Sequence, residues 1–343
     1  MRDDKYGRLC EIALGLDEKI KRQINGEKEH FIGASYPSPL LWHDYLLELR
    51  DYGFDNYPGV NIENPEAIFF TEKIIGCKMR HIGAQNDFFH TFCIPCIKEA
   101  GDIDKINVDL SESPAWNAYY GNIRAHLISP ASELPICLPA FCPLDTACAI
   151  MGPAEFLELL GSDMQGAKHI IAFVCELYIK MVAQIKKLNI KTISANGYAG
   201  TYASDLNTVN ISPKTLEQLI PFYEQIADFA GGMTLNIAVS DISLMSDIAG
   251  IASFCGFFFD SRLKLEDISK MLKKKLFVIY NYMFDDALNG VTLKDGAYIN
   301  PIVHAHSRNI AEAFRELAHS HSIQAQIFRN DKNEAIDVAN KLR

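Results

Sequence analysis

The sequence predicts an α/β fold: one (β/α)₈ TIM barrel spanning residues 1–343, with an extra N-terminal helix and long loops in its first third. Three observations predict it. From residue 191 onward, short apolar runs alternate regularly with helical patterns. Those runs are nearly continuous, as strands buried on both faces require. No strand candidate leads into a GxGxxG turn, which weighs against the runner-up, an open doubly wound sheet binding nucleotides.

Residues 3–25 place Tyr6, Leu9, Cys10, Ala13, Leu16, Ile20 and Ile24 at helical spacing and stop at Asn25-Gly26, so 1–28 reads as a leading helical segment. A strand is expected over 29–36, ended by Pro37-Ser38-Pro39, and a helix over 40–50 with Trp42, Tyr45, Leu46 and Leu49 on one side. Residues 51–64, rich in Gly, Pro, Asn and Tyr, read as a long loop, a feature often tied to function. Residues 67–82 fit either one bent strand or two short ones around Gly76. Residues 83–115 fit either a lid over the barrel mouth or a surface excursion.

A helix is expected over 116–128, an apolar strand over 134–141, and a long helical region over 153–188. That region breaks near Gly161-Ser162-Asp163, with Asp163 capping its second half. Strand 191–196 then precedes helix 213–229, which has Ser212 as N-cap and Pro213 at its first position. Strand 233–239 precedes helix 242–249, strand 256–260 precedes helix 264–272, strand 276–283 precedes a short helical turn, and strand 297–303 precedes helix 309–319. The tail, 320–343, is expected to pack outside, with a last helix near 333–342.

Composition narrows the function classes. A net charge of −10 argues against a nucleic-acid or anionic-membrane surface, since either needs a clustered basic face. The basic run at 270–275 ends an amphipathic segment and reads as a solvated helix face. No apolar run approaches the roughly 20 residues that span a bilayer, and the charged N-terminus does not resemble a signal peptide. Nine scattered cysteines in a chain this long fit reduced thiols and a cytoplasmic location.

In a barrel, polar residues at strand C-termini converge on one mouth. Here that set is Tyr36, Asn196, Tyr198, Asn236, Asp260, Asn281, Tyr282, Tyr298, Asn300 and His304. Asp260 and His304 are the catalytic candidates. Asn196, Tyr198, Asn236, Asn281, Tyr282 and Tyr298 are the substrate-binding ones. A lining this poor in charge suits a mostly neutral small molecule. Each residue fits equally a satisfied hydrogen bond at a strand end. Cys93-Ile94-Pro95-Cys96 has the spacing of a metal knuckle or redox pair but no second pair to complete it. Cys137, Cys142 and Cys148 read as buried small hydrophobes. No metal site is assigned, although His304 and His306 form a spaced pair.

Four segments carry a family resemblance. LPAFCPLDTACAIMGPAEFLELLGSD, ISPKTLEQLIPFYEQIAD, LFVIYNYMFDDALNG and SRNIAEAFRELAH resemble, in order and spacing, motifs of the uroporphyrinogen decarboxylase superfamily. That superfamily contains the decarboxylase and corrinoid-linked methyltransferases, both on a (β/α)₈ barrel. The decarboxylase's arginine-rich signature is replaced here by GASYPSPLLWHD, and its turn tyrosine and segment serine fall on Ala149 and Gly197. In the methyltransferase branch a zinc-binding His-x-Cys stands where this chain has Asn236 and Ala238, and the third ligand falls near Tyr298 or Ile299. The resemblance therefore implies a small-molecule methyltransferase serving a corrinoid protein, without the usual zinc trio. Two alternatives stay open: a non-catalytic barrel binding a ligand or partner, and a decarboxylase or lyase acting on another small carboxylate with Asp260 or His304 as acid–base group.

Overall fold

A computed structural model describes residues 4–24, 27–35, 38, 40–60, 62, 64, 69–81, 91–193, 200–237, 242–258, 276–281, 323–328 and 331–343. In chain order the first elements are α1 (Asp4–Ile24), β1 (His30–Ser35), α2 (Trp42–Asp51), α3 (Phe70–Ile75), β2 (Lys78–His81), β3 (Thr91–Ile94) and α4 (Pro114–Leu127). Next come β4 (Ile136–Cys137), α5 (Pro143–Met151), α6 (Pro153–Ser162), α7 (Met164–Lys186), β5 (Thr192–Ile193), β6 (Thr201–Asp205), α8 (Pro213–Glu217) and α9 (Ile220–Ala230). The last are β7 (Met233–Ile237), α10 (Ile242–Gly250), β8 (Phe254–Phe258), β9 (Leu276–Asn281), β10 (Ile323–Phe328) and α11 (Lys332–Leu342). No helix among the described residues is long and apolar enough to cross a membrane.

The chain forms two compact units. The first comprises Met1–Gly59, Asn196–Tyr198 and Thr234–Arg343. Its sheet runs in the order β1-β10-β9-β8-β7, with β1, β10, β9 and β8 pairing in parallel. β10 pairs Ile323 with His30 on one side and with Phe277 on the other. The expectation that residues 320–343 pack outside is therefore corrected: the tail supplies a central strand. Ile327 is fully buried there, and that burial together with pairing along both edges outweighs the short, Gln-interrupted pattern. α11 follows with Ala335, Ala339 and Leu342 buried, and Asp331 caps it by accepting the Asn333 and Glu334 amides.

α1 buries Leu9, Ala13, Leu16 and Ile20 at helical spacing, as expected. The stretch after α2 is the predicted loop, and part of its role is structural. The Ile32 amide donates to Asp55 Oδ2 at 3.0 Å, the Asp55 amide donates to Ile32 O at 2.7 Å, and Asn56 exchanges two 2.9 Å bonds with the Ala34 backbone. A loop thus satisfies β1 backbone groups that water or another strand would otherwise have to meet.

The second unit comprises Val60–Ala195 and Ala199–Met233 and is mostly helical. α7 is its axis, with Ile170, Ile171, Val174, Tyr178, Met181 and Ile185 all buried. The break before α7 falls where expected, and the Gly166 amide donates to Asp163 Oδ1 at 3.0 Å. Ser212 caps α8 as read, accepting from the Thr215 amide at 3.1 Å. The single helix expected over 213–229 is instead two, α8 and α9, with Pro221 in the first turn of the second. Proline lacks the N–H that would continue the ladder through Gln218 and Leu219.

Residues 134–141 form only the two-residue strand β4. Leu138 N still donates to Ile193 O at 2.9 Å, while Phe141 N donates to Tyr202 O at 2.7 Å. Pro139 lies between and has no donor, so the segment leaves β5 and joins β6 around it. Residues 67–82 differ most from expectation. They give helix α3 and then strand β2, and Gly76, at φ +99°, is the helix C-cap rather than a strand break.

Candidate functional site

The second unit encloses a cavity of about 670 Å³, in the range of small-ligand pockets. Each wall comes from an element whose sequence explains its position. α5 starts at Pro143, so its first turn presents Asp145 and Thr146 beside Cys142. β4 contributes Cys137, and the irregular segment after it contributes Leu138, Pro139 and Ala140. α3 brings Phe70 and Glu72, β3 brings Phe92 and Cys93, and α4 brings Tyr119. Phe69 holds the α3 entrance at φ +54°, a left-handed backbone that non-glycine residues rarely adopt, and such strain clusters at binding sites.

Aromatic rings and carboxylates give the cavity its chemistry. Phe70 and Tyr119 meet edge-on with centroids 5.3 Å apart. Glu72 is 7% exposed, and burial raises its carboxyl above the ordinary range. A hydrogen bond with the Thr146 side chain pulls it partly back, and the charge of Asp145 pushes it up again. Asp145 Oδ1 accepts the Asn207 amide at 2.8 Å and Asn207 Nδ2 at 2.9 Å. Among the described residues that line the cavity there is no lysine, arginine or histidine.

Behind this wall, Asp205 is 1% exposed. Its Oδ1 accepts the Asp145 amide at 2.7 Å, and its Oδ2 accepts the Tyr223 hydroxyl. Burial and the nearby Asp145 push its carboxyl upward, while Tyr223 and the amides of Asp145 and Leu144 favour the charged form. Asp205 thereby anchors the first turn of α5, which carries Asp145 and Thr146. The reading of Cys137, Cys142 and Cys148 as buried small hydrophobes holds for Cys148, whereas Cys137 and Cys142 are half-buried. Burial raises all three, Cys137 and Cys148 to about 12, so they keep their protons.

Of the strand-end residues read from sequence, Asn236 is half-buried on β7 and Asn281 ends β9, both in the first unit. Tyr36, Asn196, Tyr198, Asp260, Tyr282, Tyr298, Asn300, His304 and His306 lie outside the described residues. Among the described residues, no group of three or more His, Cys, Asp or Glu side chains is arranged to hold a metal ion. Sequence reasoning missed Glu72, Asp145, Thr146 and Asn207. The available signal was a lone acid inside an apolar run, as in FFTEKII and CPLDTAC. Part of the stretch 83–115, the hardest to read, supplies cavity wall through β3.

No protein-family model matches the sequence, and no curated protein matches it either. Among solved structures the chain is similar to a methyltransferase from Methanosarcina mazei, with a TM-score of 0.58 and 11% identity over 94% of this chain and 96% of that one. At that identity the likeness is one of fold, and the fold is a mixed α/β one.

Proposed function

We propose that this chain is a small-molecule methyltransferase, a single-domain (β/α)₈ barrel that passes a methyl group to a corrinoid on a separate protein and works without the His-x-Cys…Cys zinc trio. The observation that carries the reading is the aromatic-walled cavity lined by a buried Glu72, whose carboxyl is raised above its ordinary value. The likeness in fold to a methyltransferase supports it, as do the sequence motifs. The strand-end set remains part of the reading, with Asn196, Tyr198, Asn236, Asn281, Tyr282 and Tyr298 as ligand contacts and Asp260 and His304 as further acid–base candidates.

The lining selects the substrate class. The described part of the wall offers no cation to a polyanion, and Phe70, Phe92 and Tyr119 suit a planar ring. A methylated aromatic ether fits both features. Its oxygen is a poor leaving group unless protonated as the methyl–oxygen bond breaks. Glu72 gives its proton to that oxygen, so a neutral phenol leaves and the carboxylate left behind is held by Thr146. A bound corrinoid supplies the centre that takes up the methyl group. Asp145, held by Asn207, offers an acceptor to a ring hydroxyl.

The test is phenol release from a panel of methoxyaromatics, with methylamines as comparison, using reduced free cobalamin as surrogate acceptor. Glu72→Gln should lower turnover by about 100-fold or more, typical of a lost general acid, with little change in ligand affinity. Tight binding of one aromatic ligand with no turnover of any donor would favour the second reading, a non-catalytic binding barrel. The quiet thiols of the cavity wall agree with that reading.

A further inference from the structure

The Cys93-x-x-Cys96 pair lacks a second pair in sequence, but the fold provides a third thiol. β2 and β3 are antiparallel, with Lys78 opposite Ile94, so Cys77 and Cys96 flank the same end of the ladder. Cys77 Sγ lies 3.1 Å from Cys96 Sγ. Forming a disulfide bond of about 2.05 Å needs only about 1 Å of closure. Both backbones are held in place: the Cys77 amide donates to Glu72 O at 2.9 Å and the Cys96 amide to Ile150 O at 2.8 Å. Cys96 is exposed, whereas Cys77 is buried. Cys93 sits between them in sequence, on β3, and lines the cavity.

We propose that Cys77 and Cys96 are a reversible dithiol–disulfide pair, oxidised by hydrogen peroxide, that fastens the strand carrying Phe92 and Cys93 on the cavity wall. Cys96 is the attacking sulfur. It is the accessible one, and the hydrogen bond from Cys77 lowers its thiol below the usual range. Cys77 is raised by its contacts with Cys93 and Cys96 and by burial, and it keeps its proton until the second step.

In the first step Cys96 sulfur attacks a peroxide oxygen. The S–O bond forms, the O–O bond breaks, and the departing hydroxide takes up the proton given up by the Cys96 thiol and leaves as water, giving a sulfenic acid. In the second, Cys77 sulfur attacks Cys96 sulfur. The S–S bond forms, the S–O bond breaks, and the leaving hydroxide takes the Cys77 proton as water. Two thiols and one peroxide become one disulfide and two waters, with sulfur oxidised and peroxide reduced. A thiol donor reverses the change, as expected for a redox-responsive pair in a reducing compartment. The pair stands whether or not the cavity transfers methyl groups.

The experiment treats the full-length protein with hydrogen peroxide, alkylates the remaining thiols, and maps cross-linked peptides by mass spectrometry before and after dithiothreitol. The expected result is a Cys77–Cys96 cross-link that dithiothreitol removes, with Cys96 alkylation falling about tenfold while it is in place. In Cys77→Ser, dimedone should trap a sulfenic acid at Cys96. Absence of the cross-link, with Cys96 alkylating at an undiminished rate, overturns the proposal. So does a metal ion that copurifies on Cys77, Cys93 and Cys96 and shields them from peroxide.

Discussion

Around the parallel sheet, acids meet cations at partly exposed sites: Lys19 and Arg50 reach Asp55 at 3.1 and 3.3 Å, and Lys332 reaches Glu48 at 2.9 Å. In the cavity unit, Glu72, Asp145 and Asp205 are instead held by hydroxyls, a side-chain amide and backbone N–H groups. These pairs keep water on at least one partner, and each contributes modestly. The buried acids are costly to charge, and that cost raises the Glu72 carboxyl above its ordinary value. The outer pairs therefore add little to stability one by one, whereas the buried acids bear both on stability and on the chemistry of the cavity.

The largest way to break that contrast lies in the sheet. Removing residues 320–343 takes out β10 and leaves β1 and β9 without their shared partner. The expected outcome is loss of soluble, folded protein, checked by expression and far-UV circular dichroism. Soluble protein with unchanged sheet content would show that the sheet does not need its central strand.

In the cavity unit, Gly200 sits at φ +91°, and a Cβ there would lie 1.8 Å from Gly232 O. Gly200→Ala should cost about 4 kcal/mol in urea unfolding, combining backbone strain with a clash the backbone must absorb. Asp205→Ala strips the acceptor from the Tyr223 hydroxyl and the Asp145 amide. It should cost about 3 kcal/mol for donors left buried and unmet. A neutral result would remove Asp205 as the anchor of α5.

Glu72→Gln sharpens the comparison through pH. The unfolded carboxyl ionises near its ordinary value, while the folded one keeps its proton to higher pH. Folding of the native protein therefore weakens as pH rises from the ordinary value toward the raised one. The variant, which cannot ionise, should gain in urea midpoint at pH 7 relative to the native protein and show no gain below about pH 4. The smallest effect belongs to the outer pairs. Lys19→Met removes its pair with Asp55, which still accepts from the Ile32 amide, and should cost less than about 1 kcal/mol.

Elements whose signal is local were legible. α1, α2, α4 and the α6–α7 break follow from apolar spacing, and the Asp163 and Ser212 caps from single side chains. α3 and β10 were not. FTEKII is rich in strand-forming residues yet packs Phe70, Ile74 and Ile75 as one helical face, and tertiary burial overrides a propensity of that size. The site was less legible still, because Glu72, Asp145 and Asn207 lie far apart in sequence and only packing brings them to one wall.

What the sequence determined alone was the α/β class and most helix boundaries, since these depend on periodicity and caps. Tertiary structure decided that the tail enters the sheet, that a lone acid in an apolar run faces a cavity, and that Cys77 meets Cys96. Those outcomes depend on contacts between distant residues, and a one-dimensional pattern carries no distance between positions that only folding brings together.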